Sequence, residues 1–562
     1  MLAFNSSQSR GGVSDGAVER GVDMSLTEAR RRVDLARETG AEHLTLSLGA
    51  MSGDSGSAWE LAYLEVIHVW HEQLLALMPQ VAQLSNLTSL DISGNGLTEL
   101  PGELLAMTGL TSLNLRGNEL QEIPPEINRL ANLRKLDLTD NRLPGLPEQL
   151  ADLKDLAELG LSANYIYNDL EHLLEQLAEL PSLVVLTLAG NELTGLPASL
   201  AGLKNLRKLD LSGNQLTGLP PEIGALKDLE TLLLVRNCIE DLPPEMAQLR
   251  SLATLDLSAN DLTSVPREAA NLTALTALSL RENSIDALPE ELVRAGKLAT
   301  LDLGGNELTR IPDQIDRLTN LKRLDLSGNA LEKLGPEIAN LTRLTELDLD
   351  SNELVELSPM IVRLTNLKIL LLGGNPLGQF PLDVMNLERL TELDLSDCGL
   401  TDLPPEIARL GELTSLNLSG NDIDRLPPGI VNLANIETLY LNDNGLSAVP
   451  AELPALTGLV ELHMSFNDLE TLPPEMANLT NLTRLYLDSN QFRQLPEVLT
   501  ALPALSELYL DSNELTELPA SLLLQSNLTA LCADGNPLTE PPMKIAKDGV
   551  AAMIEYFSQD QS

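Results

Sequence analysis

Apolar residues recur along this chain with a period of 23 residues. The repeated unit reads L-x-x-L-x-L-x-x-N-x-L-x-x-L-P-x-x-I/L-x-x-L-x-x, and its asparagine falls first at Asn95. The asparagine recurs every 23 residues as far as Asn164. After a four-residue insertion the repeat resumes at Asn191 and continues to Asn536. Cys398 replaces one asparagine. A period of this length is typical of a solenoid and not of a compact enzyme domain.

The same spacing extends two units further toward the N terminus. Leu44 and Ile67 align with Leu90 at intervals of 23 residues. In these two degenerate units Gly49 and Glu72 stand where the asparagine is expected. We therefore count about 22 units in all.

Each part of the unit predicts one piece of local structure. The alternation Leu90-Asp91-Ile92 places two apolar side chains on one face of a short strand. The asparagine that follows carries donors and an acceptor, so it can satisfy backbone groups where the chain turns inward. Leu-Pro-Pro-Glu, as in residues 219–222, then favours a short helix or 3-10 turn, since proline is tolerated in a first turn. Cys398 has only a weak donor, so we expect its turn to form but to be weaker.

These motifs resemble the leucine-rich repeat family, and the resemblance covers about residues 41–557. The Leu-Pro wording is similar to the intracellular type found in Ras-pathway scaffolds, plant Ras-group-related proteins and Roco proteins. The resemblance implies an α/β solenoid with a parallel sheet on a concave side and short helices or 3-10 turns on the convex side. It also implies a non-enzymatic protein–protein interaction scaffold in intracellular signalling, with the partner on the concave face.

The segments outside the regular repeat suggest five divisions of the chain. Ser25-Leu26-Thr27-Glu28 is a capping box, which predicts a helix at the N-terminal end. The insertion has helical spacing, with two tyrosines at its base, and predicts a longer convex helix. The predicted divisions are a disordered tail (1–23), an N-terminal cap helix (24–40), the solenoid (41–540), its insertion (near 165–183) and a C-terminal cap helix and tail (541–562).

Chemistry-bearing motifs are missing from the sequence. No G-x-x-x-x-G-K-[ST] phosphate loop occurs, and no Ser–His–Asp or Cys–His spacing marks a catalytic centre. We therefore predict that the chain is not an enzyme and needs no cofactor. The alternative is a regulatory subunit of a separately encoded GTPase, kinase or phosphatase, since Roco arrays precede a GTPase domain that this chain lacks. The three cysteines lie within repeats, which favours a reducing, cytoplasmic compartment.

The charge balance narrows the class of partner. The formal net charge is −45, so nucleic acid and anionic membrane surfaces would be repelled and a basic protein attracted. The same acidity also serves solubility. Asp302, Asp325 and Asp348 fall at one position of adjacent strands, where they are either solvated and locally paired or a track for a basic partner; calcium is a remote option. The neighbouring cations are Arg281, Lys322 and Arg323.

Further along the same row the residue type changes from acidic to aromatic. Three of the seven tyrosines in the chain fall in this row, and together with His463 they occupy four consecutive units. Tyrosine and arginine dominate binding hot spots, so the row predicts a partner-binding patch, the alternative being ordinary repeat variants that stack along the sheet. The predicted patch comprises Tyr440, His463, Phe466, Arg484, Tyr486 and Tyr509.

The two degenerate units hold a second group of distinctive residues. They are His43, His68, Trp70 and His71. We predict a second partner-binding patch here, with an irregular end unit as the alternative. The histidines approach metal-ligand spacing but match no zinc pattern, so we expect no metal. The sequence leaves open whether the protein is a monomer or packs back to back.

Overall fold

The computed structural model describes residues 34, 43–47, 65–68, 71–167, 169–525 and 527–559. Contacts within the chain define two compact units, Met1–Asn191 and Glu192–Ser562. In both units each regular repeat contributes one short strand to a parallel sheet and a turn of helix to the opposite side. The predicted tail and N-terminal cap helix lie outside the described residues, apart from Asp34.

The first unit contains seven described strands in parallel pairing. From the third strand onward, each strand pairs with the next along the chain in the register that the repeat predicts. The strands are β1 (His43–Ser47), β2 (Glu65–His68), β3 (Ser89–Asp91), β4 (Ser112–Asn114), β5 (Lys135–Asp137), β6 (Glu158–Gly160) and β7 (Val185–Thr187).

The two leading strands depart from chain order. β1 lies between β2 and β3, with Leu44 opposite Glu65 on one side and Leu90 on the other. The 23-residue spacing aligned Leu44 with both Ile67 and Leu90; the alignment with Leu90 is confirmed, whereas Leu44 pairs two residues before Ile67, so that alignment was wrong. These units have Gly49 and Glu72 at the asparagine position, and hence no side-chain amide there to tie one unit to the unit before it.

The second unit contains fifteen strands, and each pairs with its neighbours in chain order. The strands are β8 (Lys208–Asp210), β9 (Thr231–Leu233), β10 (Thr254–Asp256), β11 (Ala277–Ser279), β12 (Thr300–Asp302), β13 (Arg323–Asp325), β14 (Glu346–Asp348), β15 (Ile369–Leu371), β16 (Glu392–Asp394), β17 (Ser415–Asn417), β18 (Thr438–Tyr440), β19 (Glu461–His463), β20 (Arg484–Tyr486), β21 (Glu507–Tyr509) and β22 (Ala530–Cys532).

The convex side of most repeats is a 3-10 helix, as expected for a unit that opens with Leu-Pro. Where two prolines occur, the second is the first helical residue, because its missing N–H has no intrahelical partner to lose. In the first unit these helices are Leu104–Ala106, Pro125–Arg129 and Glu148–Asp152. In the second they are Ala198–Gly202, Pro221–Ala225, Pro244–Gln248, Ala269–Asn271, Glu290–Arg294, Asp313–Arg317, Pro336–Asn340, Pro359–Arg363, Leu382–Asn386, Pro405–Arg409, Pro428–Asn432, Leu453–Ala455, Pro474–Asn478 and Glu497–Ala501.

Five α-helices complete the described structure: α1 (His71–Val81), α2 (Leu170–Ala178), α3 (Ala520–Gln525), α4 (Met543–Lys547) and α5 (Val550–Gln559). α2 occupies the insertion, where a longer helix was predicted. Tyr165 and Tyr167 at its base are each 48% exposed. In the segment predicted to cap the C-terminal end, α5 packs on α3 and α4 and buries Met553 and Phe557.

Apolar side chains fill the space between the strands and the 3-10 helices. Leu255 and Leu257, on either side of an outward-facing aspartate in β10, are fully buried, as is Leu262 in the following turn. Burying one leucine contributes about 1.5–3 kcal/mol. No single repeat can enclose these side chains, so stacking of neighbours supplies the core.

Buried asparagines join each repeat to its neighbours, as the sequence predicted. Asn260 is representative. Its Nδ2 donates to the carbonyl oxygens of Leu234 and Leu257, both at 2.9 Å. Its Oδ1 accepts the backbone N–H of Ile239 at 3.0 Å. Since Leu234 and Ile239 belong to the preceding repeat, one side chain satisfies backbone groups in two repeats.

A second asparagine row, which we did not predict, runs along the exposed side of the repeats. The Nδ2 of Asn435 donates to the carbonyl oxygen of Gly411, one repeat earlier, at 2.9 Å. This contact is exposed to solvent, so its contribution to stability is smaller than that of a buried asparagine. The same contact joins Asn132 to Thr108, Asn320 to Gly296, Asn366 to Thr342, Asn481 to Thr457 and Asn527 to Pro503.

Cys398 keeps the inward turn with fewer hydrogen bonds. Its Sγ donates to the carbonyl oxygen of Leu372 at 3.2 Å, the contact that an asparagine amide makes elsewhere. A thiol has no oxygen to accept the N–H of Leu377, which instead bonds the carbonyl oxygen of Asn375 at 2.8 Å. The Cys398 side chain therefore makes one bond to the preceding repeat where that of Asn260 makes two, in agreement with the prediction of a weaker turn.

Candidate partner-binding site

Four aromatic rings stack on the concave face near the C-terminal end of the second unit. We call Tyr440, His463, Tyr486 and Tyr509 the aromatic ladder. Successive ring centroids are 4.3, 4.0 and 4.5 Å apart, and the ring planes differ by 24°, 6° and 3°. Near-parallel rings at this spacing cover one another's faces, so the ladder presents ring edges and hydroxyl groups to a partner.

The sheet register creates the ladder. β18 to β21 pair so that Tyr440 lies opposite His463, His463 opposite Tyr486, and Tyr486 opposite Tyr509. Each ring stands between two buried leucine positions of its strand, which fixes its direction toward the concave face. A favourable aromatic pair contributes about 0.5–1.5 kcal/mol beyond the area it buries.

A carboxylate network supports the second ring of the ladder. Glu461 lies two residues before His463, on the same face of β19. Its Oε1 is 2.8 Å from Nε2 of His463, and its Oε2 accepts hydrogen bonds from Arg484 on the next strand. Burial alone would raise the pKa of Glu461, but the hydrogen bonds from Arg484 and His463 lower it overall. Burial lowers the pKa of His463, so at neutral pH the ring is uncharged and donates to the carboxylate.

The last ring is supported in the same way. The hydroxyl group of Tyr509 donates to Oε2 of Glu507 at 3.0 Å. This hydrogen bond and burial raise the pKa of Tyr509 to about 12. Arg484, which was predicted as part of the patch, pairs with Glu461. Two glutamates that were not predicted, Glu461 and Glu507, orient the rings of His463 and Tyr509. Their position two residues before a ring was a signal available in the sequence.

Carboxylates dominate the same row earlier in the second unit. Asp325 is 4% exposed, and its Oδ2 lies 3.2 Å from Nη1 of Arg281. Burial raises the pKa of Asp348 to about 6. Burial, Asp348 and Asp394 raise the pKa of Asp350 to about 7, the higher of the two. Of the neighbouring cations, Arg281 thus pairs with the row itself, whereas Asp350 has the carboxylates of Asp348 and Asp394 near it.

Asp302, Asp325 and Asp348 were predicted to share one row on adjacent strands, and in the structure they lie opposite one another. Arg323 forms its own ion pair with Glu346, the Nη1 to Oε1 distance being 3.1 Å. Within the described residues, no group of three or more His, Cys, Asp or Glu side chains has the arrangement needed to hold a metal ion.

Comparison with known proteins identifies the repeat. A model described as "Leucine rich repeat" matches residues 62–166, 273–377 and 388–515 in overlapping segments, which is more than half of the chain. A second, "Leucine-rich repeat region", matches residues 175–283. The chain is a leucine-rich repeat protein.

Solved structures of other leucine-rich repeat proteins resemble it over most of its length. A leucine-rich repeat protein of Leptospira interrogans is 31% identical, with a TM-score of 0.51, covering 75% of this chain and 95% of that one. The Arabidopsis receptor kinase HAESA, solved with the peptide hormone IDA and the co-receptor SERK1, is 30% identical, with a TM-score of 0.52 and coverage of 82% and 84%. No curated protein sequence matches this one significantly.

Phe466 was predicted to belong to the aromatic patch, but it lies in the turn after β19. Its backbone is left-handed, with φ of 58°, and its side chain is 63% exposed. The equivalent residue of many repeats is glycine, which adopts this conformation without strain. Phe466 therefore marks the edge of the sheet beside the ladder.

The second predicted patch falls mostly at the limits of the described chain. His43 and His68 lie in β1 and β2, which pair with each other, and His71 begins α1. Trp70 lies outside the described residues. The patch stays a prediction. Among the helices that the structure describes, none is long and apolar enough to cross a lipid bilayer.

Proposed function

We propose that this leucine-rich repeat protein is a non-enzymatic scaffold that binds a protein partner through the aromatic ladder and Arg484. The observation that carries the proposal is the stack of four rings on four consecutive strands, in a chain that is only 2% aromatic. Tyrosine combines apolar area with a polar tip at a small entropic cost, which is why it is enriched at binding hot spots.

The ladder is also preorganised. Stacking fixes each ring between its neighbours, and the hydrogen bonds to Glu461 and Glu507 fix two of the polar tips. A partner that binds here would therefore immobilise few additional side chains, which reduces the entropic cost of association. The 30% identical structure of HAESA with a peptide hormone supports a peptide or protein as the class of ligand.

The charge of the chain supports a basic or locally basic partner. Asp348, Asp350 and Asp394 lie near one another in the repeats that precede the ladder, and the formal net charge is −45. Such a field steers a basic protein toward the face and increases its association rate. We place the scaffold in cytoplasmic signalling, because three cysteines in the repeats remain free thiols. An enzyme found as the partner would make the chain its regulatory subunit.

The test is affinity capture from the native cell with Tyr486→Ala plus Tyr509→Ala. We expect the affinity for the partner to fall on the order of 30-fold or more, since a hot-spot residue contributes at least about 2 kcal/mol. The matched control is Tyr165→Ala plus Tyr167→Ala, which removes two exposed tyrosines of the first unit that are not part of the ladder. Equal capture by the ladder variant and the control, with circular dichroism unchanged in both, would refute the proposal.

A further inference from the structure

The aromatic ladder has one incomplete end. Cys532 of β22 lies opposite Tyr509, in the row that holds a ring on each of the four preceding strands. Among the described strands, β22 pairs only with β21. A cysteine side chain is much smaller than a ring. Among the described rings Tyr509 stacks only on Tyr486, and the space above Cys532 is where one further planar group would continue the stack.

Carboxylates border this space. Asp511 and Asp534 lie two residues after Tyr509 and Cys532, so they share the concave face with them. Oδ1 of Asp511 accepts the backbone N–H of Asp534 at 2.6 Å, and Oδ1 of Asp488 accepts that of Asp511 at 3.0 Å. Three carboxylates in the turns that follow adjacent strands thus lie near the thiol of Cys532.

Electrostatic effects on the groups around this volume agree with the geometry. Burial raises the pKa of the Cys532 thiol, and Asp511, Asp488 and Asp534 raise it further. Burial also raises the pKa of Asp511, again with a contribution from its two neighbouring aspartates. Nζ of Lys547 lies 4.0 Å from Oδ1 of Asp534, at an exposed position. The volume is therefore an environment that favours an added cation.

We infer that the position above Cys532 is a subsite for an arginine side chain of the partner, whose guanidinium stacks on Tyr509 as a fifth rung. The inference rests on the proposed function, since it names the partner residue that the ladder selects. A guanidinium is planar and cationic, stacks on aromatic faces and bonds carboxylates with two parallel N–H groups. Lysine has the charge without the plane, and citrulline has the plane without the charge.

The thiol of Cys532 reports on occupancy of the subsite. With Cys238→Ser removing the exposed cysteine, and Cys398 buried, iodoacetamide labels Cys532, and mass spectrometry follows the rate. The probes are the tripeptide amides acetyl-Gly-Arg-Gly and its lysine and citrulline counterparts. At about ten times its Kd, the arginine peptide should slow alkylation about tenfold, because only the free site reacts. The other two peptides should protect much less at the same concentration.

Two variants locate the effect. Tyr509→Leu removes the stacking face, and Asp534→Asn removes one carboxylate, so each should weaken protection by the arginine peptide. Tyr165→Leu, the same substitution at an exposed tyrosine of the first unit, is the control and should leave protection unchanged. Equal protection by all three peptides, or protection that survives Tyr509→Leu, would overturn the inference.

The outcome is separable from that of the proposed function. Cys532→Tyr fills the subsite with a ring and leaves the four existing rungs in place, so it should weaken partner capture as Tyr509→Ala does. If capture depends on Tyr486 and Tyr509 but Cys532→Tyr binds the partner normally and the arginine peptide gives no protection, the ladder is a binding site without an arginine subsite. If the arginine peptide protects Cys532 but partner capture is unchanged by substitution of Tyr486 and Tyr509, the proposed function fails.

Discussion

Removing one buried asparagine tests the main stabilising contact between repeats. Asn260→Ala would leave the backbone N–H of Ile239 without the acceptor that the following repeat supplies. The three carbonyl oxygens that Asn260 bonds would each keep a partner. Asn237 donates to Leu234 and Asn283 donates to Leu257, both at 3.0 Å, and the backbone N–H of Arg236 donates to Ser258 at 2.9 Å. The substitution therefore orphans one buried donor and removes three bonds whose acceptors keep another donor.

The expected cost follows from this count. An unsatisfied buried N–H costs about 1–3 kcal/mol, and each net hydrogen bond contributes about 0.5–1.5 kcal/mol. We expect Asn260→Ala to lower the free energy of unfolding by about 2–4 kcal/mol. Urea denaturation followed by circular dichroism measures the loss, and hydrogen exchange should show the amide of Ile239 among the groups that lose most protection, because repeat stability is local.

The exposed asparagine row provides a matched control. Asn435→Ala removes a single solvent-exposed bond to Gly411 and should cost less than about 1 kcal/mol. Asn260→Cys copies the natural Cys398 and should fall between the wild type and Asn260→Ala. If Asn260→Ala and Asn435→Ala lower the free energy of unfolding equally, or if hydrogen exchange at Ile239 is unchanged, the buried asparagines do not hold the repeats together in the way described.

Two further predictions concern the aspartate row. Because the pKa of Asp350 is raised to about 7, its contribution to stability is full below about pH 4 and is lost as the pH rises to 7. Asp350→Asn should thus stabilise the protein by about 1–2 kcal/mol at pH 8, after screening by solvent, and hardly at all at pH 4; equal urea midpoint shifts at both pH values would contradict this. Arg281→Leu leaves the buried carboxylate of Asp325 without its cation and should lower the free energy of unfolding by about 1–3 kcal/mol at pH 7. The control is Arg207→Leu, which should lower it by about 0.5 kcal/mol or less, because the ion pair of Arg207 with Glu230 is exposed.

The repeat determined most of the fold in advance. Units of equal length impose the same register on every pair of strands from β8 to β22, so the ladder could be predicted from Tyr440 and Tyr509 being three periods apart. The two leading units could not be ordered, since Gly49 and Glu72 provide no amide to bond an adjoining repeat. Periodicity predicts which residues share a row, whereas specific side-chain bonds determine which rows are adjacent.

The supporting network was harder to predict. Glu461 is shared by His463 on its own strand and Arg484 on the next, and this choice depends on side-chain conformations that a repeat pattern does not contain. Asp350 carried a signal that was missed: its unit reads LDLDSN, with a second aspartate two residues after the first, whereas residues 209–214 and 324–329 read LDLSGN. Its raised pKa follows from burial beside Asp348 and Asp394, and depends on neighbouring strands.

At the outward-facing positions of the sheet, aspartate and aromatic side chains have opposite effects on their neighbours in the row. Parallel, in-register strands place equivalent side chains about 4.8 Å apart. Carboxylates at this spacing repel one another, and a further negative group there is destabilising. Aromatic rings at the same spacing stack, and each ring positions the next. Under the proposed function, the residues up to Asp394 would attract a basic partner, and the rigid stack that begins at Tyr440 would hold it. We therefore assign recognition to the C-terminal part of the row.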